Sequence, residues 1–385
     1  MDDKSVLFVQ PRYHTNLYPI VEALVNRGND VSMLVFRESR SGESEMTQRV
    51  KPDVLQLSLF TRLIQLLLGD SFTDRILYLY GLPEPGWYLD TLRHRDPDII
   101  VIRNYSVTAL LTALYSRFTG STVIYYDQTP VNTNCWGKRR TAVGLVHFLL
   151  FARRPTRYSP VKNSSGDSIP LYFSYYIPFA MNPTTSTNRK KDEVVRVMMI
   201  GKLHQPRKNH ILFLRCIYDL VANYDIRATI IGSLSDRGDD HYKAILSYVR
   251  DNGLNDIVSV ESNLSYDEVQ RAYGNHDIFV LPSDDEPAAV SHLEAMANGL
   301  SVICSDANGT REYVKTGYNG YHFEAGNYYD LRNKLDDLIR HDEKRRQFGK
   351  RSLERTQSEF SQVCFYDRFS AMVADATDRR SPASG

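Results

Sequence analysis

Short apolar runs alternate with stretches of helical apolar spacing along most of the chain. The run at 6–10, VLFVQ, predicts a buried strand, and 18–27 the helix that follows it. Further strands are expected at 31–36, 99–103 and 122–127, the last two separated by a helix over 107–117. Between 135 and 187 the pattern weakens as Pro, Ser, Asn and Thr accumulate, and NPTTSTNRKKDE (182–193) reads as an exposed linker. The alternation resumes with VVRVMMIG at 194–201, and strands are expected at 228–232, 257–261, 278–281, 301–304 and 321–323. Such a βα rhythm predicts an α/β protein with parallel, doubly wound sheets. The chain thus divides into a doubly wound domain over 1–181 and a second over 194–359. The segment EFSQVCFYDRFSAMVADA (359–376) has the apolar spacing of an amphipathic helix, and the DRRSPASG that ends the sequence has a disordered composition.

Composition narrows the class. A length of 385 residues suits two domains of ordinary size, and 24% charged with 42% hydrophobic residues is the balance of a soluble globular protein. A net charge of +1 gives no global field of the kind a nucleic-acid binder carries, so no nucleic-acid partner is expected. The four cysteines are scattered and make no metal-ligand pair. The acidic start MDDKSVLFVQ has too short an apolar run for a signal peptide, and no stretch reaches the ~18 apolar residues needed to span a bilayer. These features predict a cytoplasmic protein.

The strongest chemical signal lies in FVLPSDDEPAAVSHLEAMANGLSVICSDANGTREYV (279–314). A strand at 278–281, a loop at 282–287 and a helix over 289–298 closed by Gly299 are expected. Glu286 then falls at the carboxyl end of a strand, just before a helix. Open α/β sheets bind ligands there, and a helix amino terminus offers N–H groups to an anion. Glu294 follows about two turns later at ~3.6 residues per turn, so both carboxylates can border one cleft. Either glutamate alone could simply offset the helix macrodipole. Upstream, the strand ending at Gly201 runs into KLHQPRKNH and an amphipathic helix. A strand, a glycine, a short basic loop and a helix form a place to hold a diphosphate, with Lys202, Arg207 and Lys208 as candidates; solvated loop charges are the other reading.

In order, PSDDEP, HLEAMANG, SVICSD and NGTREYVKTGYNGYHF resemble the E-x7-E signature of family 4 nucleotide-sugar glycosyltransferases, retaining enzymes of the GT-B type. The resemblance implies two Rossmann-like domains facing a cleft, with the helix at 360–376 crossing back to the first. It implies that Glu286 contacts donor-sugar hydroxyls, that Glu294 contacts the ribose, and that amides around Ala288, Ala289 and Val290 approach the sugar or diphosphate. The family carries an arginine one residue after the glycine and a lysine six residues further on. Here those positions are Lys202 and Lys208, with Arg207 adjacent. Lys202 is a departure, because a lysine cannot form the bidentate fork of arginine, although it still neutralises a leaving diphosphate. The family uses no metal at this site, so Asp284 and Asp285 are not expected to hold one. No cofactor is expected beyond the nucleotide diphosphate sugar, which is a substrate.

The first half matches less well. Relatives often carry a glycine pair after the first strand, whereas this chain has QPRYHTNLYP (10–19). His14 and Asn16 either donate to the donor from that loop or pack within it. Asp127 stands about where many relatives have a histidine. It either orients or deprotonates the acceptor hydroxyl or caps the turn that follows. Arg103 and Asn104 are weaker candidates. Residues 128–166 contain no Asp or Glu but hold Lys138, Arg139, Arg140, Arg153, Arg154, Arg157 and Lys162, a local charge of +7. They flank the apolar stretch 142–152. That arrangement suits peripheral contact of 138–157 with an anionic membrane surface, or a lipid-phosphate acceptor, and equally a buried helix with solvated ends. LFTRLIQLLLG (59–69) has the same two readings.

The expected function is therefore sugar transfer from a nucleotide diphosphate sugar to an acceptor hydroxyl with retention, by same-face attack assisted by the leaving phosphate. A role in cell-envelope polysaccharide or lipid-linked glycan synthesis is expected, in the cytoplasm or peripherally at the inner membrane face. Transfer to a small metabolite, nucleotide-sugar epimerisation and a non-catalytic scaffold are the alternatives.

Overall fold

A computed structural model describes residues 1–37, 49–69, 76–77, 80–103, 106–131, 155–162, 172–184, 194–234 and 240–379. The chain divides into two compact units, Met1–Ala180 with Gln362–Gly385, and Met181–Ser361. Each is built on one parallel sheet.

The first sheet comprises β1 (Ser5–Gln10), β2 (Asp30–Val35), β3 (Asp53–Val54), β4 (Ile99–Arg103), β5 (Thr122–Tyr126), β6 (Thr156–Ser159) and β7 (Phe173–Tyr176). Its order is β3-β2-β1-β4-β5-β6-β7. Successive strand side chains point to opposite faces, so one run of apolar residues builds two cores. Val6 and Phe8 join Ile99, Val101 and Ile124 against helix α1 (Tyr18–Val25). Leu7 and Val9 join Ile100 and Ile102 on the other side, with Tyr88 of α3 (Pro85–Arg95) and Tyr115 of α4 (Val107–Phe118). The C-terminal helix Gln362–Asp378 completes the first core with Phe365, Phe369 and Met372, and Gln362 Nε2 donates to Glu22 Oε2 at 2.7 Å.

Helix α2 (Leu59–Leu68) is different. Ser58 caps it, and Thr61 Oγ1 both donates to the Leu82 carbonyl and accepts from the Leu82 amide. Its apolar side faces solvent: Leu59, Phe60 and Leu63 are exposed, and Leu66 and Leu67 are 79% and 84% exposed. Of the two readings of 59–69, the buried helix is therefore wrong. The stretch 142–152, its basic flanks Lys138–Arg140 and Arg153–Arg154, Asn104 and most of the 182–193 linker lie outside the described residues.

The second sheet comprises β8 (Val195–Ile200), β9 (Ile226–Gly232), β10 (Val258–Ser262), β11 (Ile278–Leu281), β12 (Ser301–Ser305) and β13 (Gly320–Phe323), in the order β10-β9-β8-β11-β12-β13. Val197, Met199, Ile230 and Val280 share a core with Phe213, Leu214 and Ile217 of α5 (His210–Leu220) and Ile245 and Val249 of α6 (Asp240–Asp251). In both sheets the first strand in sequence lies beside the fourth. There the direction of winding reverses, and it is at the carboxyl ends of strands flanking such a reversal that open α/β sheets bind ligands. Gly232 keeps that end compact, since a Cβ on it would sit 1.9 Å from the Gly201 carbonyl oxygen.

Candidate functional site

The winding reversal of the second sheet lies between β8 and β11, and the loops after these strands carry the basic and acidic candidates. After β8 the chain passes Gly201 and the exposed Lys202, makes a 3-10 turn over Pro206–Lys208, and enters α5 through Asn209. Asn209 has φ +55°, a left-handed conformation that Asn tolerates, and its side-chain amide donates to the Pro282 carbonyl at 2.9 Å. Asp284 N donates to the Arg207 carbonyl at 2.8 Å, and Arg207 Nη1 donates to the Asp285 carbonyl at 3.2 Å. The two loops are therefore sewn together across the reversal.

This stitching brings three charges together. Glu286 Oε2 accepts from Arg207 Nη1 at 2.9 Å and from the Lys208 ammonium. The Glu286 and Lys208 side chains are only 11% and 12% exposed, whereas Arg207 reaches further into solvent. Gly201 makes room for Lys208, since a Cβ there would lie 3.1 Å from Lys208 Cγ. So Gly201, Arg207, Lys208 and Glu286 form one constellation, though far apart in sequence. Lys202 lies at the loop's solvent edge.

The backbone of Glu286 is held from the other side. Gly309 N donates to the Glu286 carbonyl at 2.8 Å. A Cβ on Gly309 would lie 2.0 Å from the Pro287 carbonyl oxygen, so only glycine lets these loops pass. Thr310 Oγ1 donates to the Ala289 carbonyl at 3.0 Å, which anchors the segment Ala288–Val290. Helix α8 (Ser291–Ala297) begins two residues later than the spacing predicts, with Val290 at its N-cap and no side-chain cap. Ala288 and Ala289 thus belong to the loop rather than the helix.

Glu294 projects from α8 into a nearly closed environment and is 7% exposed. Tyr273 Oη, from α7 (Tyr266–Gly274), lies 2.9 Å from Glu294 Oε2 and donates to it. Burial pushes the Glu294 pKa above the usual carboxylate range, and the Tyr273 hydrogen bond opposes that shift only in part.

His292 is a residue the sequence reading passed over. It is fully buried, with Nε2 3.1 Å from the Thr310 carbonyl. A carbonyl only accepts, so Nε2 carries the proton and Nδ1 keeps a lone pair. Burial lowers the His292 pKa to about 4. Its Nδ1, Ser283 Oγ, Asp284 Oδ1 and Asn308 Nδ2 are all buried without a hydrogen-bond partner among the described residues. Such groups are rare in folded interiors, and here all four sit on segments that frame Glu286. Among the described residues, no group of three or more His, Cys, Asp or Glu is arranged to hold a metal ion.

The remaining candidates belong to the first unit. His14 lies after β1, where its Nε2 accepts from Arg12 Nε at 3.0 Å, and Asn16 sits in the short 3-10 turn Thr15–Leu17. Asp127 follows β5 and is buried. Its Oδ1 accepts from Thr129 N at 2.9 Å, which closes the turn, and its Oδ2 accepts from Arg157 Nη1 at 2.8 Å. Arg157 also donates to Thr129 Oγ1, to the Pro130 and Val131 carbonyls and to Ser174 Oγ. This corrects one expectation: Arg157 is not part of a solvated basic flank but a buried residue of β6. Asp127 caps the turn that follows it, and its carboxylate is also paired with Arg157.

Residues 184–355 match the family described as glycosyl transferases group 1. Spore coat protein SA of Bacillus subtilis is 32% identical over 171 residues, which are 43% of this chain and 44% of that protein. A sulfoquinovosyl transferase of Arabidopsis thaliana is 35% identical over 97 residues, 24% of this chain and 19% of that protein. The chain thus spans less than half the length of these curated relatives. Among solved structures, HepE of Anabaena in complex with UDP and glucose superposes with a TM-score of 0.71 at 15% identity, covering 97% of this chain and 100% of that one. At that identity the likeness is one of fold, and the fold is of the GT-B type.

Proposed function

From a chain that resembles the GT-B glycosyltransferases and matches glycosyl transferases group 1 over 184–355, we propose a retaining glycosyltransferase. It moves a sugar from a nucleotide diphosphate sugar to an acceptor hydroxyl. The observation that carries the reading is the convergence of Arg207, Lys208 and Glu286 at the winding reversal of the second sheet. Cations beside a carboxylate suit a donor that is anionic at its diphosphate and rich in hydroxyls at its sugar. Lys202 and Lys208 stabilise the leaving diphosphate, with Arg207 beside them. Glu286 and the amides of Ala288–Val290 fix the sugar, and Glu294 holds the ribose. HepE, whose structure holds UDP and glucose, has the same fold. His14 and Asn16 are further candidates for donor binding, and retention follows from same-face attack assisted by the leaving phosphate.

The acceptor is a cell-envelope polysaccharide or a lipid-linked glycan. The exposed apolar face of α2, with Arg62 and no acidic residue, supports peripheral contact with an anionic membrane. No helix among the described residues is long and apolar enough to cross a membrane.

A thermal-shift panel with UDP, GDP, ADP, CMP and TDP tests the donor site. One nucleotide stabilises the wild type, by about 2.7 kcal/mol at a hundredfold excess over Kd, and Glu294→Ala loses the shift while remaining folded by circular dichroism. A wild type that responds to none of them, or an equal shift in the variant, overturns the reading.

A further inference from the structure

We propose that Glu286 is a built-in counterion that makes a nucleoside diphosphate, stripped of its sugar, the weaker ligand of this site. The inference rests on the donor-site reading above and concerns how that site releases its product. Three observations carry it. Both cations nearest Glu286 are already spent on it, Arg207 at 2.9 Å and the Lys208 ammonium beside it. The pair with Lys208 is largely withdrawn from water, so solvent screens it poorly. The loops that bear the three groups are tied by the Asn209–Pro282, Asp284–Arg207 and Arg207–Asp285 hydrogen bonds, so the charges meet without further ordering of the chain.

An arriving diphosphate must draw Lys208 and Arg207 away from Glu286. That leaves a carboxylate at the edge of a desolvated site, which is costly unless something else donates to it. A nucleotide sugar supplies the replacement, since its hydroxyls donate to the carboxylate as the cations turn to the phosphates. A nucleoside diphosphate supplies none. Glu286 therefore selects the intact donor over the spent one and helps expel the product once the sugar has left. The balance is electrostatic. With Glu286 ionised the three groups carry one net positive charge, and without its charge they carry two.

The test is a titration of wild type and Glu286→Gln with matched pairs: UDP and UDP-glucose, GDP and GDP-mannose, ADP and ADP-glucose. Inorganic pyrophosphate serves as a base-independent probe. In the variant the favoured nucleoside diphosphate and pyrophosphate bind on the order of tenfold more tightly, and the preference for the sugar-bearing partner shrinks or inverts. The salt dependence of diphosphate binding steepens. Glu286→Ala, which also lacks the amide of glutamine, reproduces the tighter diphosphate binding. If wild type binds a nucleoside diphosphate and neither variant binds it more tightly, the counterion role is wrong while the donor site stands. If the wild type binds no nucleotide at all, the donor-site reading falls and takes this inference with it.

Discussion

Replacing Arg157 with methionine is expected to unfold the first unit at markedly lower denaturant. The guanidinium makes five hydrogen bonds, two of them to Asp127 Oδ2 and Thr129 Oγ1 from the same nitrogen. Both members of the Asp127–Arg157 pair are at most 4% exposed. Methionine fills much of the volume but removes the charged partner of the Asp127 carboxylate, which keeps the hydrogen bonds from the Thr129 amide and hydroxyl. Removing one member of a buried pair in this way costs about 3–5 kcal/mol. Asp127→Asn is milder. It keeps an acceptor for Thr129 and leaves the guanidinium four neutral partners, so about 1–3 kcal/mol is expected. Because the two residues share one network, the double variant is less destabilised than the sum of the singles. Urea titration followed by tryptophan fluorescence is well suited, because Trp87 packs against a core of the first unit. Arg157→Met within 1 kcal/mol of wild type, or strict additivity in the double variant, would refute the structural role. Asp127→Asn that abolishes turnover at unchanged stability would point to Asp127 as the acceptor base.

Two further outcomes follow from other parts of the chain. His292 has a folded-state pKa of about 4 against an ordinary value near 6.5, so protons bind the unfolded chain first as the pH falls. Stability is therefore full above about pH 6.5 and declines toward pH 4, by up to about 3 kcal/mol from this residue. His292→Gln keeps a donor for the Thr310 carbonyl and loses less stability than wild type over that interval; parallel pH profiles would contradict the assignment. In flotation assays the protein is expected to rise with vesicles containing phosphatidylglycerol but not with pure phosphatidylcholine. Leu66→Ser with Leu67→Ser abolishes the rise without lowering the melting temperature. A wild type that never floats, or a variant that floats equally, removes the membrane role of α2.

The βα rhythm was legible because central strands of a parallel sheet are buried on both faces and read as unbroken apolar runs. β1, β4, β8 and β11 all have that character. The edges were not legible. β6 is TRYS and β7 is FSYY, polar enough to pass for loop, and β3 has only two residues. Arg157 was misread for the same reason: in sequence it stands within a basic run, and only pairing with β5 and β7 shows that it points inward toward Asp127. Glu286 and Glu294 stood out through their spacing at a strand–loop–helix junction. Their partners could not be read, because Tyr273 reaches Glu294 from another helix and the Glu286 cations come from a loop nearly eighty residues earlier. His292 carried one faint signal, an imidazole two positions before a glutamate on a helix otherwise apolar on its inner side.

The two loop junctions use polar groups to different ends. Around Asp127 the groups satisfy one another, as a buried ion pair with all five guanidinium donors assigned. That is how a loop is held still. Around Glu286 the backbone is held as firmly, by Gly309, Thr310 and Asn209, but His292 Nδ1, Asn308 Nδ2 and Ser283 Oγ have no partner among the described residues, and the cations rest on a carboxylate that competes with any anion. A rigid backbone beneath exchangeable polar contacts lowers the ordering cost of binding, so affinity there is governed by re-pairing of charges rather than by folding of a loop. The first unit's junction is built to keep its shape, and the second unit's junction to trade its partners for those of a ligand.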